Sequence, residues 1–176
     1  LRKRILLHIC CAPCATAVVE DLRESGYEVT GCFYNPSIHP LKEFQRRAEA
    51  LRKWAPSVDL PVIMNEESSL ESNLKMLLNS SNRCLSCFTD RMGFTAEMCS
   101  RMGFDQFTST LSISPYQNHE LLKHAGEKAA ALSNVSFIYM DFRENYKKSI
   151  QMSRDADIYR QPYCGCLFSE RDRYLK

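Results

Sequence analysis

Seven of the nine cysteines in this 176-residue chain fall in three short clusters: Cys10, Cys11 and Cys14 near the start, Cys84 and Cys87 midway, and Cys164 and Cys166 near the end. Thiolates bind soft metals, hold iron-sulfur clusters and attack electrophiles, so three such clusters point to one of these chemistries. Residues three apart share a helix face, which lets Cys84 and Cys87 meet one metal or one cluster. Cys164 and Cys166, separated by one glycine, can do the same from a loop. A thiol at a helix N-terminus faces the positive end of the backbone dipole, which favours the thiolate; Cys14 and the Cys84/Cys87 pair are expected there. Cys32 and Cys99 stand alone in apolar patterns, where a buried free cysteine is the ordinary explanation.

Three chemistries compete for these thiols. Cys11-Ala-Pro-Cys14 has the form of a dithiol at a helix start, as in thioredoxin-like exchangers, but that use leaves the other two clusters without a task. A tetrahedral zinc site of Cys84, Cys87, Cys164 and Cys166 leaves Cys10, Cys11 and Cys14 unexplained. An iron-sulfur centre with an open position, or a cluster beside a second metal, uses more of the thiols than either. Spacing alone does not choose the metal.

The elements that must position these clusters alternate. Residues 4–9 form an apolar run suited to a buried parallel strand, 15–25 a helix closed by Gly26, and 27–34 a strand rich in β-branched and aromatic residues. A Pro-bounded loop over 35–40 precedes a charged helix over 41–54, and 61–64 reads as a third strand. Helices follow over 68–78, where Ser68 and Glu71 have capping-box spacing, and over 84–102. Strands at 104–111 and 135–140 bracket a loop over 112–115 and a helix over 116–132. The last third is less regular, with a helix near 146–155, a loop over 158–165 and a short tail. Such alternation predicts an α/β fold, a parallel sheet flanked by helices with a Cys-containing C-terminal segment, in one domain over residues 1–176. Ligands of such sheets bind beyond the carboxyl ends of the strands, where Cys10, Cys11, Pro36 and Ser112 are expected to lie.

The net charge of +2 neither requires nor excludes nucleic acid, so any basic surface must be local. Arg46, Arg47, Arg52, Lys53, Lys147, Lys148, Arg171 and Arg173 are the cations available for RNA, with Tyr159, Tyr163 and Phe168 to stack unpaired bases. Most of these charges alternate with Asp or Glu, as on any solvated helix face. His8 reads as a core residue within its strand, His39 as a site candidate, and His119 and His124 as surface positions. No stretch approaches the ~20 apolar residues of a membrane span, so a reducing, cytoplasmic location without membrane contact is the expectation.

Six segments carry a specific resemblance: Leu7-His-Ile-Cys-Cys-Ala-Pro-Cys14, Asn35-Pro-Ser-Ile-His-Pro40, Arg83-Cys84-Leu-Ser-Cys87, Thr108-Ser-Thr-Leu-Ser-Ile-Ser-Pro115, Asp141-Phe-Arg143 and Tyr159-Arg-Gln-Pro-Tyr-Cys-Gly-Cys166. Together, in this order, they resemble the QueH family of epoxyqueuosine reductases. The resemblance implies reduction of an epoxide to an alkene on the modified base at the tRNA wobble position, the last step of queuosine synthesis. It implies a 4Fe-4S cluster with an adjacent iron ion, no cobalamin, and an electron donor such as a ferredoxin or flavodoxin system. The implied fold is nucleotide-hydrolase-like (HUP-type), yet Cys10-Cys-Ala-Pro-Cys14 stands where a Gly/Ser-rich phosphate loop would follow the first strand, so ATP is not expected. Cys10, Cys11, Cys84, Cys87, Cys164 and Cys166 are expected to divide between cluster and iron, with Cys14 a seventh thiol. Tyr163, His39, Asp90 and metal-bound water are candidate proton sources, and Arg83 and Arg143 candidates to hold phosphate or stabilise an alkoxide.

Overall fold

The computed structural model describes residues 3–67 and 69–175. Five parallel strands form one sheet in the order β3-β2-β1-β4-β5: β1 Lys3–His8, β2 Tyr27–Phe33, β3 Val62–Met64, β4 Gln106–Ser109 and β5 Ser136–Phe137. The helices are α1 Ala12–Glu24, α2 Leu41–Ser57, α3 Leu70–Leu78, α4 Arg83–Arg101, α5 His119–Ser133, α6 Tyr146–Asp155 and α7 Leu167–Tyr174. No helix among the described residues is long and apolar enough to cross a membrane.

β1 is the central strand, and its alternation divides the core. Ile5, Leu7 and Ile9 join the side chains of α1 and α2 on one face, while Leu6 joins Phe107 and the apolar residues of α4 and α5 on the other. This burial on both faces is why the run reads as almost continuously apolar. Even His8 is fully buried, satisfied by Ser109 Oγ at 2.9 Å and the Tyr34 carbonyl at 3.1 Å. It is the core residue expected.

The chain lays β1, β2 and β3 toward one edge and then returns to place β4 and β5 on the other side of β1. The order therefore reverses between β1 and β4, and the crevice beyond the carboxyl ends of these two strands is where such sheets take ligands. Cys10 sits at that point, its backbone N–H donating to Thr110 Oγ1 across the gap at 3.1 Å.

Several boundaries differ from expectation for local reasons. α1 starts at Ala12, three residues early, because a proline in the first turn needs no N–H partner. Its end is the expected one, with Gly26 at φ +85. β4 stops at Ser109, whose hydroxyl accepts from the Leu111 N–H and turns the chain into a 3-10 helix over Thr110–Ile113. α5 begins only at His119, where the Asn118 side chain caps the Leu121 N–H at 3.0 Å. β5 spans two residues rather than six, pairing only Ser136 and Phe137 with β4. The capping box expected at Ser68 lies outside the described residues. The tail is not irregular but carries α7, with Cys166 at its N-cap.

A candidate metal centre at three helix N-termini

Each cysteine cluster lies at the start of a helix: Cys11 is the N-cap of α1 with Cys14 in its first turn, Cys84 and Cys87 open α4, and Cys166 caps α7. The first-turn N–H groups of a helix lack intrahelical partners, so negative charge is favoured there. At α7 this is visible directly, the Ser169 N–H pointing to Cys166 Sγ at 3.4 Å. All nine cysteines are free.

The sulfurs of Cys10, Cys11 and Cys14 lie within 4.8 Å of one another. Cys10 and Cys11 are 3.7 Å apart, Cys11 and Cys14 2.9 Å. The Gln161 amide reaches in from the C-terminal loop to donate to Cys11 Sγ at 2.9 Å, and Thr110 Oγ1 donates to Cys10 Sγ at 3.3 Å. Hydrogen bonds from the Cys11 and Cys14 thiols hold Cys10 well below the ordinary thiol range. Burial pushes Cys11 up, and the bonds Cys14 gives its two neighbours push Cys14 up as well. The triad thus carries its first negative charge on Cys10, and a metal would displace the remaining protons.

The other four thiols form a looser group. Cys84 and Cys164 are exposed, Cys87 and Cys166 half-buried. Burial raises Cys84 and Cys87, and the charges of Cys164 and Cys166 raise both further. The dipole was expected to favour thiolates at Cys14, Cys84 and Cys87; hydrogen bonds to Cys10 and Cys11 outweigh it at Cys14, and burial and like charge outweigh it at Cys84 and Cys87. Among the described residues only the first triad brings three ligand atoms within 4.8 Å.

A buried cation faces both groups. Arg91, one turn beyond Cys87 on α4, is 2 % exposed, and its Nε has no hydrogen-bond partner among the described residues. No carboxylate pairs with it among the described residues; neighbouring Asp90 instead accepts from the Tyr34 hydroxyl at 3.4 Å. The charges that bear on its guanidinium are the thiols of Cys87, Cys164, Cys10 and Cys166, and burial opposes them. The sequence reading passed over Arg91, although Cys84, Cys87 and Arg91 have the i, i+3, i+7 spacing of one helix face.

Arg47 was expected at an RNA surface but is 1 % exposed. Its Nε donates to Glu43 at 2.7 Å, and its two other nitrogens donate to the carbonyls of Cys164 and Tyr163 at 2.7 and 3.0 Å. Glu43 also accepts from the Tyr159 hydroxyl at 2.6 Å. The pair thereby fixes the loop that delivers the last two cysteines onto α2. Arg47→Met leaves Glu43 buried and unpaired, and is expected to lower unfolding free energy by about 3–5 kcal/mol in urea titrations.

The other expected site residues are placed as follows. Tyr163 lines the cavity beside the thiols, with its hydroxyl on the His39 carbonyl. His39 is buried, its backbone N–H on Gly165 O at 2.8 Å and its Nε2 without a partner among the described residues; burial lowers its pKa. Asp90 is half-buried, and its carboxyl is raised by that burial. Arg143 is an exposed ion-pair partner of Asp141, away from the cavity walls among the described residues. Arg83 packs its guanidinium over Phe168 at 4.2 Å, joining the starts of α4 and α7. His119 is not a surface residue as expected but half-buried, bonded to Tyr139 Oη and Ser114 O at 2.7 and 2.9 Å. Arg52, Lys53, Lys148 and Arg171 are paired with carboxylates, as solvated helix faces are.

Cys10, Cys14 and Cys164 open together onto a cavity of about 700 Å³ walled by Tyr116, Gln117 and Gln161. Gln117 donates to Cys164 Sγ at 3.1 Å, tying the α5 side of this cavity to the C-terminal loop. The volume suits a nucleoside-sized ligand.

Residues 5–172 match the family described as epoxyqueuosine reductase QueH. The chain is 37% identical over 174 residues to the epoxyqueuosine reductase QueH of Dehalococcoides mccartyi, covering 98% of this chain and 96% of that one. The QueH protein of Thermotoga maritima is 32% identical over 182 residues, with 98% and 93% covered. Among solved structures, a predicted subunit of tRNA methyltransferase from Methanocaldococcus jannaschii superposes with a TM-score of 0.56 at 9% identity, over 86% of this chain and 74% of that one. That likeness bears on the fold alone. With the family match running almost end to end and through all three cysteine clusters, the chain belongs to the epoxyqueuosine reductase QueH family.

Proposed function

We propose that this chain reduces the epoxide of epoxyqueuosine at the tRNA wobble position to the alkene of queuosine. The reaction consumes two electrons and two protons and releases the epoxide oxygen as water. The observation that carries this reading is the meeting, at the switch point of the sheet, of a free three-thiol group with a nucleoside-sized cavity, in a chain of this family.

The residues present fit an iron-sulfur cluster with an adjacent iron. Thiols are the right donors, three are gathered within 4.8 Å, and Arg91 supplies a buried positive charge for an anionic centre. Cys10, Cys11 and Cys14, with Cys84, Cys87, Cys164 and Cys166, would hold the two metal groups between them. When bound, such groups supply single electrons and Lewis acidity.

The chain's own residues do the rest. Gln161 and Thr110 hold the sulfurs of Cys11 and Cys10 in place. Burial pushes the Tyr163 hydroxyl up to about 12, so it keeps its proton at neutral pH and gives it up only to a strong base such as an alkoxide formed in the cavity it lines. His39 holds the loop that carries Cys164 to Cys166 through its backbone N–H and its Nδ1, while its buried Nε2, without a partner among the described residues, stays available as a second proton source. The whole chain works as one α/β metalloenzyme domain in the cytoplasm, fed with electrons by a donor of ferredoxin or flavodoxin type.

Iron, acid-labile sulfide and zinc per chain, measured on protein purified without oxygen, test this together with turnover of tRNA carrying epoxyqueuosine. Several irons with sulfide, and conversion of the epoxide, are expected. Zinc alone, after anaerobic reconstitution has failed, would instead make this a structural zinc module.

A further inference from the structure

Tyr116 is the most exposed of the large apolar side chains among the described residues, with 83 % of its surface free. Its hydroxyl makes no hydrogen bond among those residues, so neither packing nor polarity accounts for the ring. Yet it is held. Its backbone N–H is on Ser114 Oγ at 3.2 Å, and the half-buried Tyr146 meets it edge-on at 6.1 Å and 81°. The next residue, Gln117, is tied to Cys164.

Both tyrosines line the cavity that contains Cys10, Cys14 and Cys164. Cys10 is 7 % exposed and Cys14 half-buried, so these two thiols lie deeper than Cys164, and Tyr116 stands at the mouth. Two cations share this wall. Arg160 is directed by bonds to the Ile150 carbonyl and Ser153 Oγ, each at 3.1 Å, and Arg173 has no carboxylate partner among the described residues. Asp172, the acid of the same wall, is neutralised by Arg171. An exposed, braced aromatic ring beside unpaired guanidinium groups is the composition of a site for an unpaired nucleotide: the ring takes the base and the cations take the flanking phosphates.

We propose that Tyr116, braced by Tyr146, is the platform on which the unpaired wobble base stacks, with Arg160 and Arg173 on the neighbouring phosphates. This rests on the tRNA substrate of the preceding section and adds the base-binding subsite to it. A base held at the mouth directs the cyclopentane ring it carries down toward the thiols.

The test uses the full chain, purified without oxygen and given no reductant, at one fixed salt concentration. Two RNAs are compared by fluorescence anisotropy: the anticodon stem-loop carrying epoxyqueuosine, and the same stem-loop abasic at that position. Tyr116→Ala is expected to weaken binding of the first about 5- to 150-fold, the range for one stacked base, and to leave the second unchanged. Tyr116→Phe should keep wild-type affinity, and iron content should be the same in all three proteins. Equal losses on both RNAs, or none on either while the wild type still prefers the intact base, would overturn the platform. In that case turnover of epoxyqueuosine tRNA by the wild type would continue, so the subsite would fail without the reaction failing. Absence of both turnover and base-dependent binding in the wild type would sink the substrate reading itself.

Discussion

Cys10→Ser is expected to lose bound iron and turnover together, with turnover falling at least about 100-fold. Changes in groups that merely support a metal's ligands already cost about 10- to 100-fold, and a ligand costs more. Cys10 has the strongest claim among the thiols. It sits where the strand order reverses, accepts a hydrogen bond from Thr110 beside the Cys11 and Cys14 sulfurs, and is the thiol of the triad held below its ordinary range. Serine keeps the shape, but its hydroxyl stays protonated and is a poor ligand for iron. Cys99→Ala is the control: Cys99 is fully buried in the apolar cluster of α4 and α5, with its thiol on the Phe104 carbonyl at 3.4 Å. That change should cost stability while iron and turnover persist. Iron per chain, turnover and thermal midpoint, taken on the same samples, separate the two cases. Full iron with normal turnover in Cys10→Ser would remove Cys10 from the site.

How much of this was readable beforehand depended on whether the cause lay near in sequence. β1, α1 and β2 are written locally, in an apolar run, a proline in the first turn and a glycine at positive φ, and were legible to within three residues. The grouping of Cys10, Cys11 and Cys14 follows from the same few residues. β5 shortened to two residues because pairing with β4, a partner thirty positions away, sets its length. α7 was missed because eight mostly exposed residues bury no face and leave no periodic signal; its capping residue was read only as a ligand. Arg47 and Arg91 look in sequence like any charges on solvated helices. Burial by remote elements makes one a staple for the Tyr163–Cys164 carbonyls and the other a cation among thiols. Tyr116 failed in the opposite sense, expected inside a helix and found before its cap.

Arg91→Met should change the stability of the metal-free and metal-loaded proteins in opposite directions. The metal-free chain buries a guanidinium that, among the described residues, has no carboxylate partner and an unsatisfied Nε. Methionine fills similar volume without that desolvation cost, and replacing buried charge by a packed apolar side chain is often neutral or stabilising by about 1–4 kcal/mol. The urea midpoint of metal-free Arg91→Met is therefore expected to stay or rise. In the loaded protein the thiols of Cys10, Cys87, Cys164 and Cys166 are ionised, and Arg91 is the positive charge that faces all four. Its loss should weaken metal retention about 10- to 100-fold in chelator competition and move the reduction midpoint to lower potential, since a nearby cation favours the more negative, reduced state. Arg91→Lys, which keeps the charge but not the planar fork, should recover part of both. If Arg91→Met instead lowers the metal-free and loaded midpoints equally and leaves the potential where it was, the guanidinium is only packing α4 against the sheet. The thiolates would then have to find their counter-charge in the helix N-termini alone.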